Sequence, residues 1–280
     1  MRAFRVAYDG RPFHGFQRQP DVPTVEGVLL DALHELDVTG AKADTPPRYA
    51  AAGRTDAGVS AVRQTVAFET PEWLTPRAFN GELPGTIRVW AHANVSDGFH
   101  ATHDADNRQY VYYLYAPEDG MEHTSTTYRL DRDRLETALT RLSGSHDFHN
   151  LTPDTKGTER TISTDLRRDG AFLGVRVEAG GFPREFVRRL VTLCRGVAAR
   201  TAPLEKVDRV LAPEPLPGPE GIGPAPPGPL ILWDVTYGLD FQKDPVAAVS
   251  ACDAFADRQT TAAAAAKMTA EIRGQIAESR

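Results

Sequence analysis

Strand and helix signals run through this chain twice in a similar order, and that repetition constrains the fold more than any single segment does. In the first pass, residues 3–8 read as a strand entering the turn Asp9-Gly10-Arg11-Pro12. Thr24 is placed to cap a helix reaching Leu36, with Val25, Val28, Leu29, Ala32, Leu33 and Leu36 at helical spacing. Residues 64–69 and 86–90 alternate as strands. The second pass begins at Tyr110-Val111-Tyr112-Tyr113-Leu114-Tyr115, a run of strand-favouring residues. A helix from Asp131 to Leu142 follows, then strands over 162–167 and 173–177. A helix from Arg184 to Arg200 buries Phe186, Val187, Leu190, Val191, Cys194 and Val197 on one face and sets Arg184, Arg188 and Arg195 on another. Two mixed units in succession predict an α+β fold with pseudo-repeated halves.

Between the second unit and a last strand at 230–237, residues 212–229 hold eight prolines and four glycines, which predicts a loop without regular structure. After Asp244 the chain is alanine-rich, and a helical or partly frayed tail, dispensable for chemistry, is expected. The expected division is a lobe over 1–104, a second over 105–240 and the tail over 241–280.

A chain of 280 residues with 41% hydrophobic and 25% charged residues has the mix of an ordinary folded protein. No apolar run reaches the roughly eighteen residues of a membrane span, and residues 1–10 lack the apolar stretch of a signal peptide, so a cytoplasmic location is expected. The two cysteines, Cys194 and Cys252, are too few and too far apart for a thiolate zinc site or a disulfide scaffold. A net charge of −6 argues on its face against a nucleic-acid partner. The distribution softens that objection, because residues 157–200 carry nine arginines against five acids. A basic patch steers a polyanion even on an acidic protein. Lysine appears only five times, and an acidic, lysine-poor surface suggests a salt-rich cytoplasm.

The chain has no GxxxxGK[ST] loop, no GxGxxG after a strand, no HExxH and no GxSxG. His146 and His149 lack further ligands nearby and read as two surface histidines, so no metal is expected. The segment Gly53-Arg54-Thr55-Asp56-Ala57-Gly58 differs in kind. Flanking glycines let a bulky substrate approach the main chain, and Arg54 offers a cation to a phosphate or a base. Local chemistry alone favours a Thr-Asp cap or turn there.

The wider pattern overturns that reading. Tyr8-Asp9-Gly10 with Gly15-Phe16-Gln17-Arg18-Gln19 resembles the opening YDG…GWQRQ of the TruA family of tRNA pseudouridine synthases, with Phe16 in place of tryptophan. Gly53 to Val59 is similar to the family's GRTDAGV without a gap. Phe99-His100-Ala101 resembles FHAR, with Thr102 where arginine is usual. Arg108-Gln109-Tyr110-Val111-Tyr112 resembles the K/R-x-Y-x-Y strand, and Phe186-Val187-Arg188-Arg189 the helix whose arginine faces the active site. The resemblance covers about residue 3 to residue 237, and five segments in order make chance improbable.

The resemblance implies two lobes of mixed, mainly antiparallel sheets around a cleft holding Asp56. It implies isomerisation of uridine to pseudouridine in the tRNA anticodon stem-loop, at positions 38 to 40, by a homodimer without metal or organic cofactor. Asp56 would be the nucleophile, adding to the uracil ring or trapping the ribose. Arg188 would hold it ionised and oriented, and Tyr110 would pack against the base, although a plain core role needs the same inward position. Tyr112, on the same side of its strand, is expected only to pack. The target base must leave its stack, and Arg54 suits the space it vacates, with a surface salt bridge as the plainer alternative. Gln17, Arg11, Arg18, Arg184 and Arg189 complete the expected RNA contacts, each arginine being equally open to an ordinary solvated role. A silent RNA-binding protein of the same fold is the rival reading. A glycosidase would want a second acid opposite Asp56, and none stands out.

Overall fold

The computed structural model describes residues 1–39, 43–117 and 129–278; residues 279 and 280 of the expected tail lie outside these. In the first half, strand β1 (Arg2–Tyr8) leads to helix α1 (Val25–Glu35), β2 (Ala50–Ala51), β3 (Ser60–Phe68), α2 (Pro76–Gly81) and β4 (Ile87–Asn94). The second half contains β5 (Asn107–Tyr115), α3 (Arg132–Leu142), β6 (Gly144–Asp147), β7 (Glu159–Asp169), β8 (Phe172–Ala179), α4 (Phe186–Ala198) and α5 (Glu205–Val210). Then come β9 (Leu230–Thr236), β10 (Gln242–Lys243) and α6 (Pro245–Glu278).

Among the described residues the strands join one sheet in the order β10-β4-β1-β3-β9-β5-β8-β7-β6, with β2 paired to β3. The protein is α+β and its sheet mainly antiparallel; among the described strands only β3 and β9 run parallel, Ser60 opposite Ile231 and Ala61 opposite Leu232. That pair is the seam between the halves, so β9, late in the chain, stitches the first half to β5. Buried apolar side chains of the described residues gather in two large clusters, beside a small one at Ala3, Ala50, Ala67 and Ala101. One large cluster packs α1 and α2 on β1, β3 and β4 around Phe4, Phe68, Phe79 and Leu29; the other packs α3 and α4 on β5, β7 and β8 around Phe148, Phe186, Leu190 and Val175.

The helix starts follow capping chemistry. Thr24 Oγ1 accepts from Gly27 N at 3.2 Å, and Asp131 caps α3 as N-cap rather than as a helical residue. The helix expected over 184–200 is shorter at both ends. Glu185 and Arg200 have φ of 59°, a left-handed conformation that cannot continue an α-helix, so Arg184 precedes α4 and Arg200 follows it. The proline-rich segment is irregular apart from one short 3-10 turn at Gly218–Glu220. The tail is one continuous helix, about 50 Å long at 1.5 Å per residue. No helix among the described residues is long and apolar enough to cross a membrane.

Candidate active site

The segment after β1 and the segment before β3 fold against each other as one unit. Phe16 N donates to Thr55 O at 3.0 Å, Gly58 N to Phe13 O at 3.2 Å, and Val59 N to Asp56 O at 3.1 Å. Gly10 lies so close to the Val59 carbonyl that a Cβ on it would stand 1.9 Å from that oxygen, and its N–H donates to Ser60 Oγ. Two buried hydroxyls, Tyr8 and Thr55, meet at 2.8 Å under the loop. Phe16, fully buried, packs beside Tyr8 and needs no indole there. Gln64, also fully buried, donates from Nε2 to Gly53 O. Asp56 therefore projects from a loop whose backbone is held on both sides.

The opposing wall comes from β5, α4 and the proline-rich segment. Arg188 Nη1 lies 3.1 Å from Asp56 Oδ2, and its Nε donates to Ala225 O at 2.7 Å. The guanidinium is 14% exposed and the carboxylate 31%, so the pair is largely shielded while one side of Asp56 faces the cleft. The proline-rich segment acts as a strap over α4. Ala225 N donates to Arg188 O, Arg189 Nη1 to Ile222 O, and the Tyr112 hydroxyl to Pro226 O. Gly58, at φ +79°, is where the strap meets the Asp56 loop, since a Cβ there would lie 2.9 Å from Pro227.

Tyr110 stands beside this pair with its ring edge-on to Phe182 at 5.3 Å. Burial, and then the negative charge of Asp56, push its phenol above the ordinary tyrosine value, so it stays protonated near neutrality. Asp56, Tyr110 and Arg188 all line one cleft of about 1330 Å³, more than the ~300–1,000 Å³ of small-molecule sites. Such a cleft suits a segment of a macromolecule.

The expected RNA contacts separate by location. Gln17, Arg18, Arg54 and Arg184 line the cleft, whereas Arg11 and Arg189 do not. Arg54 and the Arg18 side chain are exposed and make no hydrogen bond or ion pair with the described residues. Arg184 is held by Asp154, which accepts from its backbone N at 2.8 Å and its Nε at 3.1 Å. Arg11 is committed to Asp9, and Arg189 to Glu185 and the strap. The two histidines expected at the surface are instead half-buried: His146 packs edge-on to Phe148 and bonds Ser143 O, and His149 lies 3.2 Å from Asp147. Among the described residues no group of three His, Cys, Asp or Glu side chains could hold a metal.

The family model for tRNA pseudouridine synthase matches residues 138–238. A tRNA pseudouridine synthase A from Haloarcula marismortui is 58% identical over 97% of this chain and 98% of its own length. One from Natronomonas pharaonis is 54% identical over the same shares, and one from Archaeoglobus fulgidus 36% identical over 86% of each chain. The chain belongs to the tRNA pseudouridine synthase A family. It is an isomerase that converts uridine to pseudouridine in tRNA. Two of these relatives come from halophilic archaea, in keeping with the acidic, lysine-poor sequence.

Within this family member, several residues of the motif segments build the site in ways their sequence context does not show. Arg108 donates to Ala52 O and Thr102 O, tying β5 to the approach of the Asp56 loop. Thr102, where arginine is usual, donates from Oγ1 to Ala51 O. The strap carbonyls carry no sequence signal at all, whereas Asp154, in Thr152-Pro153-Asp154, sits in a turn motif that could have marked it.

Proposed function

We propose that Asp56 is the nucleophile of this isomerisation, with Arg188 as its cation and Tyr110 as the face against which the target uracil packs. The observation that carries the reading is the Arg188–Asp56 contact at 3.1 Å, made between the two halves of the chain across a cleft open to solvent. A guanidinium fixed by a second bond to Ala225 O can stabilise and aim a carboxylate without reorganising during the reaction. In the overall reaction the N1–C1′ bond of uridine breaks, a C5–C1′ bond forms, C5 loses its proton to solvent, and N1 gains one. A carboxylate that forms a transient bond divides this exchange into easier steps. Tyr110, held protonated, offers an apolar ring and a hydroxyl donor to the base rather than a strong base.

The substrate region is the anticodon stem-loop at positions 38 to 40, bound by a homodimer in the cytoplasm. The division into lobes 1–104 and 105–240 with a tail over 241–280 belongs to the same reading. Extrusion of the base leaves a gap in the stem, and Arg54, exposed and unpaired among the described residues at the cleft, is suited to fill it. Gln17, Arg18 and Arg184 on the cleft wall meet the flanking backbone, and Arg11 and Arg189 support it from outside the cleft. Release of tritium from tRNA labelled at uracil C5 tests the chemistry. Wild type releases label; Asp56→Ala binds the same tRNA and releases none. Label released by Asp56→Ala removes the nucleophile, and modified-site mapping that finds no change at positions 38 to 40 removes the target.

A further inference from the structure

The alanine-rich tail was expected to be dispensable, yet its helix ends its contact with the body on a buried carboxylate. Asp244 starts α6, accepting from Ala247 N at Oδ1, and Ala247, Ala248 and Ala251 are buried where the helix lies along β4. Ala254 comes within contact distance of a Cβ placed on Gly85, in the turn before β4. One turn later Arg258 Nη1 reaches Asp9 Oδ2 at 2.9 Å. Beyond Arg258 the helix is almost wholly exposed, with Met268, Ile272 and Ile276 open to solvent.

Asp9 is only 6% exposed and takes two cations at once. Arg11 binds it through Nε and Nη2, both at 2.8 Å, and Arg258 shares Oδ2 from the opposite end of the sequence. The next residue, Gly10, has no free space toward the Val59 carbonyl, and Val59 N donates to Asp56 O. A shift of Asp9 is therefore passed to the Asp56 loop through close-packed backbone rather than absorbed by a side chain. We propose that Arg258 is a positioning residue: α6 braces the Asp9–Gly10 turn and so fixes the height of Asp56 in the cleft. Small misplacements of a reacting group cost rate far more than binding.

This rests on the reading of Asp56 as nucleophile, and the test separates the two. Tritium release from C5-labelled tRNA is measured for the full-length wild type, Arg258→Ala, Arg258→Lys and Asp56→Ala, with tRNA affinity and folded fraction measured alongside. Arg258→Ala is expected to lose about tenfold in kcat with KM and tRNA affinity within about twofold, and Arg258→Lys to recover most of the loss. The brace is overturned by an unchanged kcat, by a loss that falls on KM instead, by a loss that only tracks the folded fraction, or by no recovery with lysine. Label released by Asp56→Ala removes the nucleophile instead, whereas a silent Asp56→Ala beside a fully active Arg258→Ala removes only the brace.

Discussion

The two walls of the cleft are built by different means. The Asp56 wall is backbone against backbone: residues 13–16 pair with 55–58, and Gly10 sits where no side chain fits against Val59. The Arg188 wall is side chain against carbonyl: Arg188 and Arg189 each reach a carbonyl of the strap, and the Tyr112 hydroxyl reaches a third. The first construction is intolerant of added volume. The second is intolerant of a lost donor. Substitutions that add one methyl group and substitutions that delete one hydrogen bond should therefore act on opposite walls.

The largest effect is expected from Gly10→Ala. Its Cβ would meet backbone atoms, which cannot rotate aside, so the turn or the Asp56 loop must move. We expect a loss of roughly 3 kcal/mol in urea unfolding, at the upper end of the overpacking range, and near-complete loss of label release. An active, equally stable Gly10→Ala would mean that the Asp56 wall is not rigid. Next comes Arg188→Lys. Lysine keeps the charge but cannot bond Ala225 O and Asp56 together in a planar fork. A fall in kcat of about 100-fold or more, with an unfolding midpoint close to wild type, is the expected outcome. Equal damage to stability and rate would make Arg188 an element of the core rather than of the site.

Tyr112→Phe deletes the donor to Pro226 O while leaving the ring packed. About 1 kcal/mol of stability should go, with a several-fold fall in kcat as the strap loosens its hold on Arg188. If the rate is untouched, the strap only covers α4 and does not orient it. That outcome would restore the sequence expectation that Tyr112 merely packs.

The elements that carry the site were legible because their signals are local or ordered along the chain. Thr24, the apolar spacing after it and the tyrosine-rich β5 report helix and strand through period alone. Asp56, Tyr110 and Arg188 were singled out by five motif segments in sequence order, and the structure brings Asp56 and Arg188 into contact across 132 positions. Helix α2 carried a readable signal that was passed over, a Thr75 cap followed by Pro76 at the first helical position. Strand β6, Gly-Ser-His-Asp, has no apolar alternation because it lies at the sheet edge. The fates of Arg11 and Arg54 could not be told apart by residue type. One lies beside a buried carboxylate and the other has none, and that is a fact of three-dimensional position.

Each wall is also fastened by one aspartate, and these two respond differently to acid. Burial pushes the Asp9 carboxyl up, but hydrogen bonds from Arg11 and the charges of Arg11 and Arg258 outweigh it, leaving the group below its ordinary range. Asp154 is lowered first by the backbone N–H of Arg184, then by its side chain. A depressed folded-state value means that each contributes stability in full above the unfolded value of about 3.9 and loses it as pH falls through the folded value. The Asp9 side chain is 7% exposed and bridges two arginines; the Asp154 side chain is 31% exposed beside an arginine side chain that is 65% exposed, so solvent screens the second pair more. Unfolding followed from pH 6 down to about 2 should lose less stability below pH 4 in Asp9→Asn than in wild type, and Asp154→Asn should differ from wild type by less. Matching acid slopes in the two variants would mean that the walls are fastened equally, and the contrast between a packed wall and a bonded one would then rest on Gly10 and the strap alone.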